Sequence, residues 1–378
     1  MRGLAGFTLL LAADAGGQVK LDPAIKDSQN AIAAFERINK NTDPNPVPCR
    51  VTPLQARMSF SLRFWSGFQA SWPVGDYSQK EVRAAVILRV TPRGAGGTPA
   101  YFYDALLLGE AVRKARPVVG FSGGFYLGPG VYDVEWLLAD TENRTCRSKW
   151  TVQAKGGASS TALKPGMLES VGLETWRGKT PDAGSTGPRA TVFLHAAPVW
   201  RGRNFTKLSS FDRMWLLSSL TSLLDLAGFS SVRLVAYDAS RKRILMSIDR
   251  FNEQAYGRLA RVLREENFGV VDYKVIKENQ SDTAFLTKLL EADRGQPSPS
   301  DVVIFLGPEL RPSKKLPPEA VQVAEKLPAT FYLALSLMPV KQGDAVDKVV
   351  KAAKGKTYLV TRARDLLNPI RAMRQSRP

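Results

Sequence analysis

The sequence predicts two domains, an antiparallel β-sandwich followed by a three-layer α/β domain with a doubly wound, mostly parallel sheet. Three observations lead to this prediction. The chain has 378 residues, more than one domain usually holds. Between residues 49 and 155, apolar residues alternate with polar ones in segments separated by turn residues. From residue 189 onwards, short apolar segments alternate with amphipathic helical segments, the order that builds parallel sheets.

Residues 1–15 have the three parts of a secretory signal peptide. Arg2 supplies a positive charge, Leu4 to Ala13 form a short apolar run, and Ala13-Asp14-Ala15 provides a cleavage pattern. This pattern predicts a secreted or periplasmic protein. A buried helix or a misassigned start codon is the alternative explanation of the same residues.

Residues 16–48 are predicted to form a helix and then an extended segment. The apolar residues of KDSQNAIAAFERINKN recur at helical spacing, and Asp27 or Ser28 precedes them as a cap. The prolines of NTDPNPVPC exclude a helix immediately afterwards, because proline lacks the backbone N–H that a helix interior needs.

The domain at residues 49–155 contains the predicted strands MSFSLRFW, AAVILRV, AYFYDALLL, LGPGVYDVEWLLAD and TCRSKWTVQAK. The fourth is the clearest, because a Pro-Gly turn leads into Tyr132, Val134, Trp136 and Leu138 on one face. Strands separated by turn residues, without a strong helix, favour an antiparallel sandwich. The glycine-rich GFSGGFYLGPG is predicted to supply turns.

Cys49 and Cys146 are the two cysteines of the chain. In an oxidising compartment an isolated pair often forms one bridge, so they are a disulfide candidate; two buried thiols are the alternative. Together with a single histidine they do not provide the ligands of a usual zinc site. Residues 156–188, rich in Gly, Ser, Thr and Pro, are predicted to be a linker.

The domain at residues 189–378 begins with a strand at Thr191–Leu194 and a long helix at Leu208–Leu226. The strands SVRLVAY and RILMSI are separated only by DASRK, which allows a hairpin but not a parallel crossover, so one antiparallel strand is expected at the sheet edge. Alternating helices and strands are then predicted, with helices at residues 252–266, 282–291, 318–326, 344–353 and 362–373.

This order, with a long first helix and an early hairpin at the edge, resembles the von Willebrand factor type A domain from Arg189 to Arg377. The preceding strands look like the sandwich of exported bacterial proteins in the von Willebrand factor A-related group. The resemblance implies a ligand site at the carboxyl ends of the parallel strands, where open α/β sheets generally bind ligands. There the family holds a divalent cation with Asp-x-Ser-x-Ser after the first strand, a later Thr, and an Asp after the fourth strand.

In this chain that metal-ion-dependent adhesion site is degenerate. The positions of Asp-x-Ser-x-Ser are occupied by His195-Ala196-Ala197-Pro198-Val199, and the later Asp matches Gly307 or Pro308. Only Thr283 keeps a ligand type. Because magnesium needs several oxygen ligands in near-octahedral geometry, the resemblance implies the fold without the metal, and no cofactor is predicted.

His195 is the only histidine and directly follows the first predicted strand of this domain. Catalysis would require an acidic partner to orient it and a nucleophile beside it, and spacing assigns neither. Three roles stay open: a structural hydrogen bond at the sheet edge, a contact with a partner, or catalysis.

We therefore predict a non-enzymatic, exported interaction or adhesion-type protein that binds a protein partner through the carboxyl-edge loops. The predicted partner-binding residues are His195, Arg201, Arg203, Thr283, Glu309 and Arg311. The net charge of +18 favours acidic partners, but the basic residues are spread along the chain, which does not predict specific nucleic-acid binding. No transmembrane span is expected. A basic-surface binder of anionic polysaccharide or another envelope component, and an enzyme with a non-standard site at the same edge, are the alternatives.

Overall fold

The computed structural model describes residues 18–40, 45–75, 77, 81–94, 97–110, 118–156, 162–171, 176, 187–199, 207–267, 281–312, 316–341 and 343–375. The predicted signal peptide, Arg201 and Arg203 lie outside the described residues. Within the described parts of the chain, no helix is both long and apolar enough to cross a membrane.

The chain divides into two compact units. The N-terminal unit comprises Met1–Ser59 and Arg63–Gly172, and the C-terminal unit comprises Phe60–Leu62 and Leu173–Pro378. Each unit has its own hydrophobic core, as expected for domains of this size.

Two antiparallel sheets build the N-terminal unit, as the sequence predicts. One has the strand order β1-β5-β4-β7-β8 and the other β2-β3-β6-β9, and every pairing in both is antiparallel. The elements are β1 (Val19–Lys20), α1 (Lys26–Lys40), β2 (Arg50–Met58), β3 (Phe64–Pro73), β4 (Glu81–Pro92), β5 (Ala100–Gly109), β6 (Val118–Leu127), β7 (Gly130–Asp140), β8 (Thr145–Ala154) and β9 (Leu168–Ser170).

Aromatic side chains from both sheets meet in one core. The rings of Phe68 and Trp136 lie 5.5 Å apart, and those of Phe102 and Phe125 stack at 5.3 Å. Pairs of this kind join one sheet to the other because each ring comes from a different sheet. On the outer face of the five-stranded sheet, α1 buries Phe35 completely.

Two predicted features of this unit are wrong. Met58–Trp65 is not one strand, because β2 ends at Met58 and β3 begins at Phe64. Between them Ser59 N–H donates to the Arg63 carbonyl at 2.9 Å, and Leu62 has a φ of +53°, which closes a turn. The glycine-rich segment is not a series of turns, since most of it forms β6.

The two cysteines are joined in a disulfide. Cys49 directly precedes β2 and Cys146 lies in β8, with 6.2 Å between their Cα atoms. Parts of the segment predicted to be a linker also pack within the units. Strand β9 pairs with β6, and the buried Trp176 donates from its indole Nε1 to Asp225 Oδ1 at 2.7 Å.

The C-terminal unit contains a six-stranded sheet with the order β12-β11-β10-β13-β14-β15. Every pairing is parallel except that of β11 with β12. The predicted mostly parallel sheet with one antiparallel edge strand is therefore confirmed. Its elements are β10 (Arg189–His195), α2 (Ser210–Leu226), β11 (Ser231–Asp238), β12 (Arg243–Ile248), α3 (Glu253–Glu265), α4 (Asp282–Arg294), β13 (Val302–Pro308), α5 (Pro318–Glu325), β14 (Ala329–Leu335), α6 (Ala345–Ala352), β15 (Lys356–Val360), a 3-10 turn at Ala363–Leu366 and α7 (Leu367–Gln375).

Helices cover the sheet on both faces. Helices α4, α5 and α6 pack against Phe193 and Phe305 on one face. The alternate residues Leu194 and Ile304, which point to the opposite face, are equally buried. On that side α2 contacts β13, and Thr221 of α2 lies within 3.1 Å of Tyr256 of α3. This arrangement explains why the strands are continuously apolar, and it leaves their ends as the accessible parts.

Candidate functional site

The carboxyl ends of the five parallel strands and the loops that follow them form one edge of the sheet, here termed the carboxyl edge. His195 is the last residue of β10 and is 3% exposed. Its Nδ1 lies 2.9 Å from the carbonyl oxygen of Pro308, and its ring stacks on Tyr237 with centroids 5.3 Å apart. Because a carbonyl oxygen only accepts, Nδ1 carries the proton and donates it. His195 thus ties the ends of β10, β11 and β13 together.

Gly307, one of the two positions that the resemblance matches to the family's later Asp, has no room for a side chain, and the other position is Pro308. Its φ is +146°, and a Cβ built on it would lie 2.6 Å from the His195 carbonyl oxygen and 2.8 Å from the His195 Cβ. The close approach of β13 to β10 therefore requires glycine. A carboxylate ligand at this position is incompatible with the packing of His195.

We expect Gly307→Ala to destabilise the C-terminal unit by about 2–4 kcal/mol, because it combines backbone strain with a backbone clash. Chemical denaturation measures the change. Gly257, inside α3, is the matched control: a Cβ there meets no atom within 4 Å, so Gly257→Ala should stabilise the fold by about 0.5–1 kcal/mol. Equal effects of the two substitutions would refute the close approach.

A buried carboxylate holds the loop after β13. Asp344 is fully buried and accepts hydrogen bonds from the Leu310 N–H at 2.6 Å, the Tyr332 hydroxyl at 2.9 Å and the Asp347 N–H at 2.8 Å. Burial raises the pKa of Tyr332 and of Tyr237, and the nearby Asp344 charge raises both further. Both phenols therefore stay protonated and available as donors.

A second set of charged side chains lies at the turn of the β11–β12 hairpin. Asp238 and Arg241 form a buried ion pair at 2.8 Å, and Lys242 pairs with Asp282 at the start of α4. Burial lowers the pKa of Lys242, and the nearby Arg311 charge acts in the same direction while Asp238 opposes it. The Lys242–Asp282 pair therefore fixes the hairpin to the start of α4.

The predicted partner-binding residues differ in accessibility. Thr283 and Glu309 are each 7% exposed, and the Thr283 hydroxyl lies 2.8 Å from the Ser281 hydroxyl. Arg311 is exposed and lines a cavity of about 110 Å³ together with Ser240, Asp282 and Leu310. A cavity of that volume holds a few water molecules at about 30 Å³ each. Of the described members of this set, Arg311 is the exposed one.

Among the described residues of the carboxyl edge, the most accessible apolar side chains follow β14. Leu337 is 40% exposed, Met338 67% and Val340 66%, and Leu337–Val340 is here called the apolar loop. Ser336 shapes it, since its hydroxyl bonds both the Met338 carbonyl at 3.0 Å and the Met338 N–H at 3.2 Å. This loop is not predictable from the sequence, because TFYLALSLMPV is an almost continuous apolar run in which buried and exposed residues look alike.

Among the described residues, no group of three or more His, Cys, Asp or Glu side chains is arranged to hold a metal ion. The carboxylates of the carboxyl edge are instead bonded to protein donors: Asp344 to two backbone N–H groups and a phenol, Asp238 to Arg241, and Asp282 to Lys242. The arrangement offers a rigid edge with an apolar, exposed loop.

No family model and no curated protein matches the chain. Similar solved structures include the structural genomics target SoR45 (6% identity, 31% of this chain and 92% of that chain, TM-score 0.20). Another is a glycosyl hydrolase family 2 member from Bacteroides cellulosilyticus, with 12% identity over 82% of this chain and 37% of that chain and a TM-score of 0.20. A third is a Bacteroides uniformis beta-glucuronidase, with 9% identity over 80% of this chain and 38% of that chain and a TM-score of 0.19. The chain spans less than two fifths of the length of these two enzymes. Similarities at such TM-scores define neither a fold nor an activity for this chain.

Proposed function

We propose that this protein is a non-enzymatic, exported interaction protein. A metal-free domain similar to the von Willebrand factor type A domain binds a protein partner through its carboxyl-edge loops. The strand order supports the domain assignment, because the first strand is followed by the long helix α2 and the β11–β12 hairpin puts an antiparallel strand at the edge.

We propose a domain without a bound metal because the residues at the positions of the family's cation ligands are buried or have no ligand atoms. The position of the family's first Asp is the buried His195, and the position of its first Ser is the buried Ala197, whose side chain has no ligand atom. Gly307 has no space for a carboxylate. Partner binding is therefore proposed to depend on direct protein contacts instead of a shared cation.

The observation that carries the proposal is the apolar loop. Three large apolar side chains stand close together in a loop at the edge where open α/β sheets usually bind ligands. Contact of these side chains with water is unfavourable, so a partner that buries them gains binding free energy. Pro339 restricts the backbone between Met338 and Val340, which reduces the entropy lost when a partner docks.

The disulfide supports export. Bridges such as Cys49–Cys146 persist in oxidising compartments and are rare where glutathione and thioredoxin keep thiols reduced. The positive net charge supports an acidic partner surface around the apolar contact.

Affinity capture with quantitative mass spectrometry tests the proposal. Immobilised wild type and the Met338→Asp/Val340→Asp variant are incubated with the envelope fraction of the producing cells. We expect a protein that wild type retains and the double variant loses by about tenfold or more, since a buried unpaired carboxylate costs more than 1.4 kcal/mol. Retention should persist in EDTA.

Leu107→Asp is the matched control, because Leu107 is a 62% exposed apolar residue of the N-terminal unit. It should capture the same protein as wild type. Capture that survives the loop substitutions contradicts the proposed surface, and capture abolished by EDTA contradicts the metal-free mechanism.

A further inference from the structure

A groove of about 470 Å³ lies on the face of strands β2, β3 and β6. The polar residues that line it are Arg50, Thr52, Gln69, Ser71 and Ser122, and the other lining residues are Ala70, Gly120 and Phe121. It is open to solvent and belongs entirely to the N-terminal unit, so it is separate from the carboxyl edge.

The strand register places these residues in two neighbouring rows. Arg50 faces Ser71 and Gly120 across three strands, and the next row is formed by Thr52, Gln69 and Ser122. Strands lie about 4.8 Å apart and alternate residues about 6.7 Å apart along a strand. The groove therefore presents a regular grid of polar groups over a floor kept low by small residues.

These polar side chains are not bonded to other side chains in the part of the chain that the structure describes. Among the described residues, none of the five has a side-chain hydrogen-bond or ion-pair partner. The other sheet behaves differently, since Arg89 pairs with Glu36 and Glu135. These five side chains therefore have hydrogen-bonding groups available to a ligand.

An aromatic side chain lies along the same face of the sheet. Gly67 and Gly124 occupy the row after Gln69 and Ser122. The indole of Trp65 lies against Gly124, because a Cβ built there would be 2.6 Å from its Nε1. An amphipathic ring beside a polar grid supplies the apolar surface that the C–H face of a sugar ring covers.

We propose that this groove binds a chain of uronic acid residues. Hydroxyl and amide groups donate to and accept from sugar hydroxyls, and the Arg50 guanidinium binds a carboxylate bidentately. No Asp or Glu lines the described part of the groove, so an anion meets no repulsion there. The groove is open to solvent, and the net charge of +18 attracts an anionic polymer.

Calorimetry with hexamers of galacturonate, mannuronate and guluronate tests this, with maltohexaose as the neutral comparison. We expect binding of at least one acidic hexamer, and a loss of about tenfold in affinity for Arg50→Ala and for Gln69→Ala. Ser122→Glu, an exposed substitution that adds a negative charge to the floor, should abolish binding.

Arg83→Ala is the matched control because Arg83 is an exposed arginine of β4 and its removal changes the net charge equally. Its affinity should equal that of wild type. The Met338→Asp/Val340→Asp variant should also bind the hexamer with wild-type affinity. The groove proposal and the partner-surface proposal are therefore tested independently of each other. Lack of binding to all three acidic hexamers, equal binding of maltohexaose, or an equal loss in Arg83→Ala overturns the proposal.

Discussion

Replacing both cysteines by alanine should lower the unfolding free energy of the N-terminal unit by about 4–5 kcal/mol. The Cys49–Cys146 bridge closes a loop with a sequence separation of 97 residues. In the chain-entropy model, cross-linking a loop of about 100 residues removes unfolded-state entropy worth about 4.7 kcal/mol at 25 °C. Guanidinium unfolding followed by tryptophan fluorescence measures the change, since four tryptophans lie in the sandwich segment.

Wild type treated with dithiothreitol is the control for this prediction, because reduction opens the same loop without changing the sequence. Reduced wild type and the Cys49→Ala/Cys146→Ala variant should unfold at similar denaturant concentrations, both well below oxidised wild type. An oxidised wild type that unfolds together with the variant would show that the bridge does not form in the protein.

The alternation of strands and helices in the C-terminal unit was predictable because burial on both faces leaves strands continuously apolar. The antiparallel edge strand was predictable from DASRK alone, since so short a connection permits only a hairpin. Both inferences depend on the polarity of short segments and on the length of the connections between them, and both can be read from the sequence.

The strand β6 was not predictable, because glycine usually weakens a strand. Here Gly124 faces Gly67 on β3, and a Cβ on Gly67 would lie 2.0 Å from the Gly123 carbonyl oxygen. The glycines are required by the close approach of two chains, which only the paired strands reveal. Likewise, apolar and polar residues alternate without interruption from Met58 to Phe64, so the sequence pattern does not show the turn between β2 and β3. That turn depends on the positive φ of Leu62.

The sequence drew attention to His195, but the residues around it come from distant positions. Pro308 accepts its hydrogen bond and Tyr237 stacks on it, and neither carries a motif. Asp344 appears in the sequence as an ordinary helix cap, since it precedes α6. Its contact with Leu310 forms because β13 and β14 are neighbours in the sheet, so the loops that follow them meet. The sequence does not give this strand order.

Asp344→Ala should destabilise the C-terminal unit by about 3–5 kcal/mol, because it leaves three buried donors without an acceptor at about 1–3 kcal/mol each, and such losses are not additive. The donors are the N–H groups of Leu310 and Asp347 and the hydroxyl of Tyr332. Chemical denaturation measures the loss. Loosening of the loop after β13 should also weaken capture of the partner.

Asn252→Ala is the matched control, since Asn252 caps α3 through a single hydrogen bond to the Ala255 N–H at 2.9 Å. Loss of an ordinary cap costs about 1 kcal/mol. The amount by which Asp344→Ala lowers the unfolding free energy more than Asn252→Ala therefore measures the two contacts beyond capping. Tyr332→Phe in the Asp344→Ala background should lower the unfolding free energy little further, because the phenol has already lost its acceptor. A loss at Asp344 no greater than that at Asn252 would mean that this carboxylate caps its helix without holding the carboxyl edge in place.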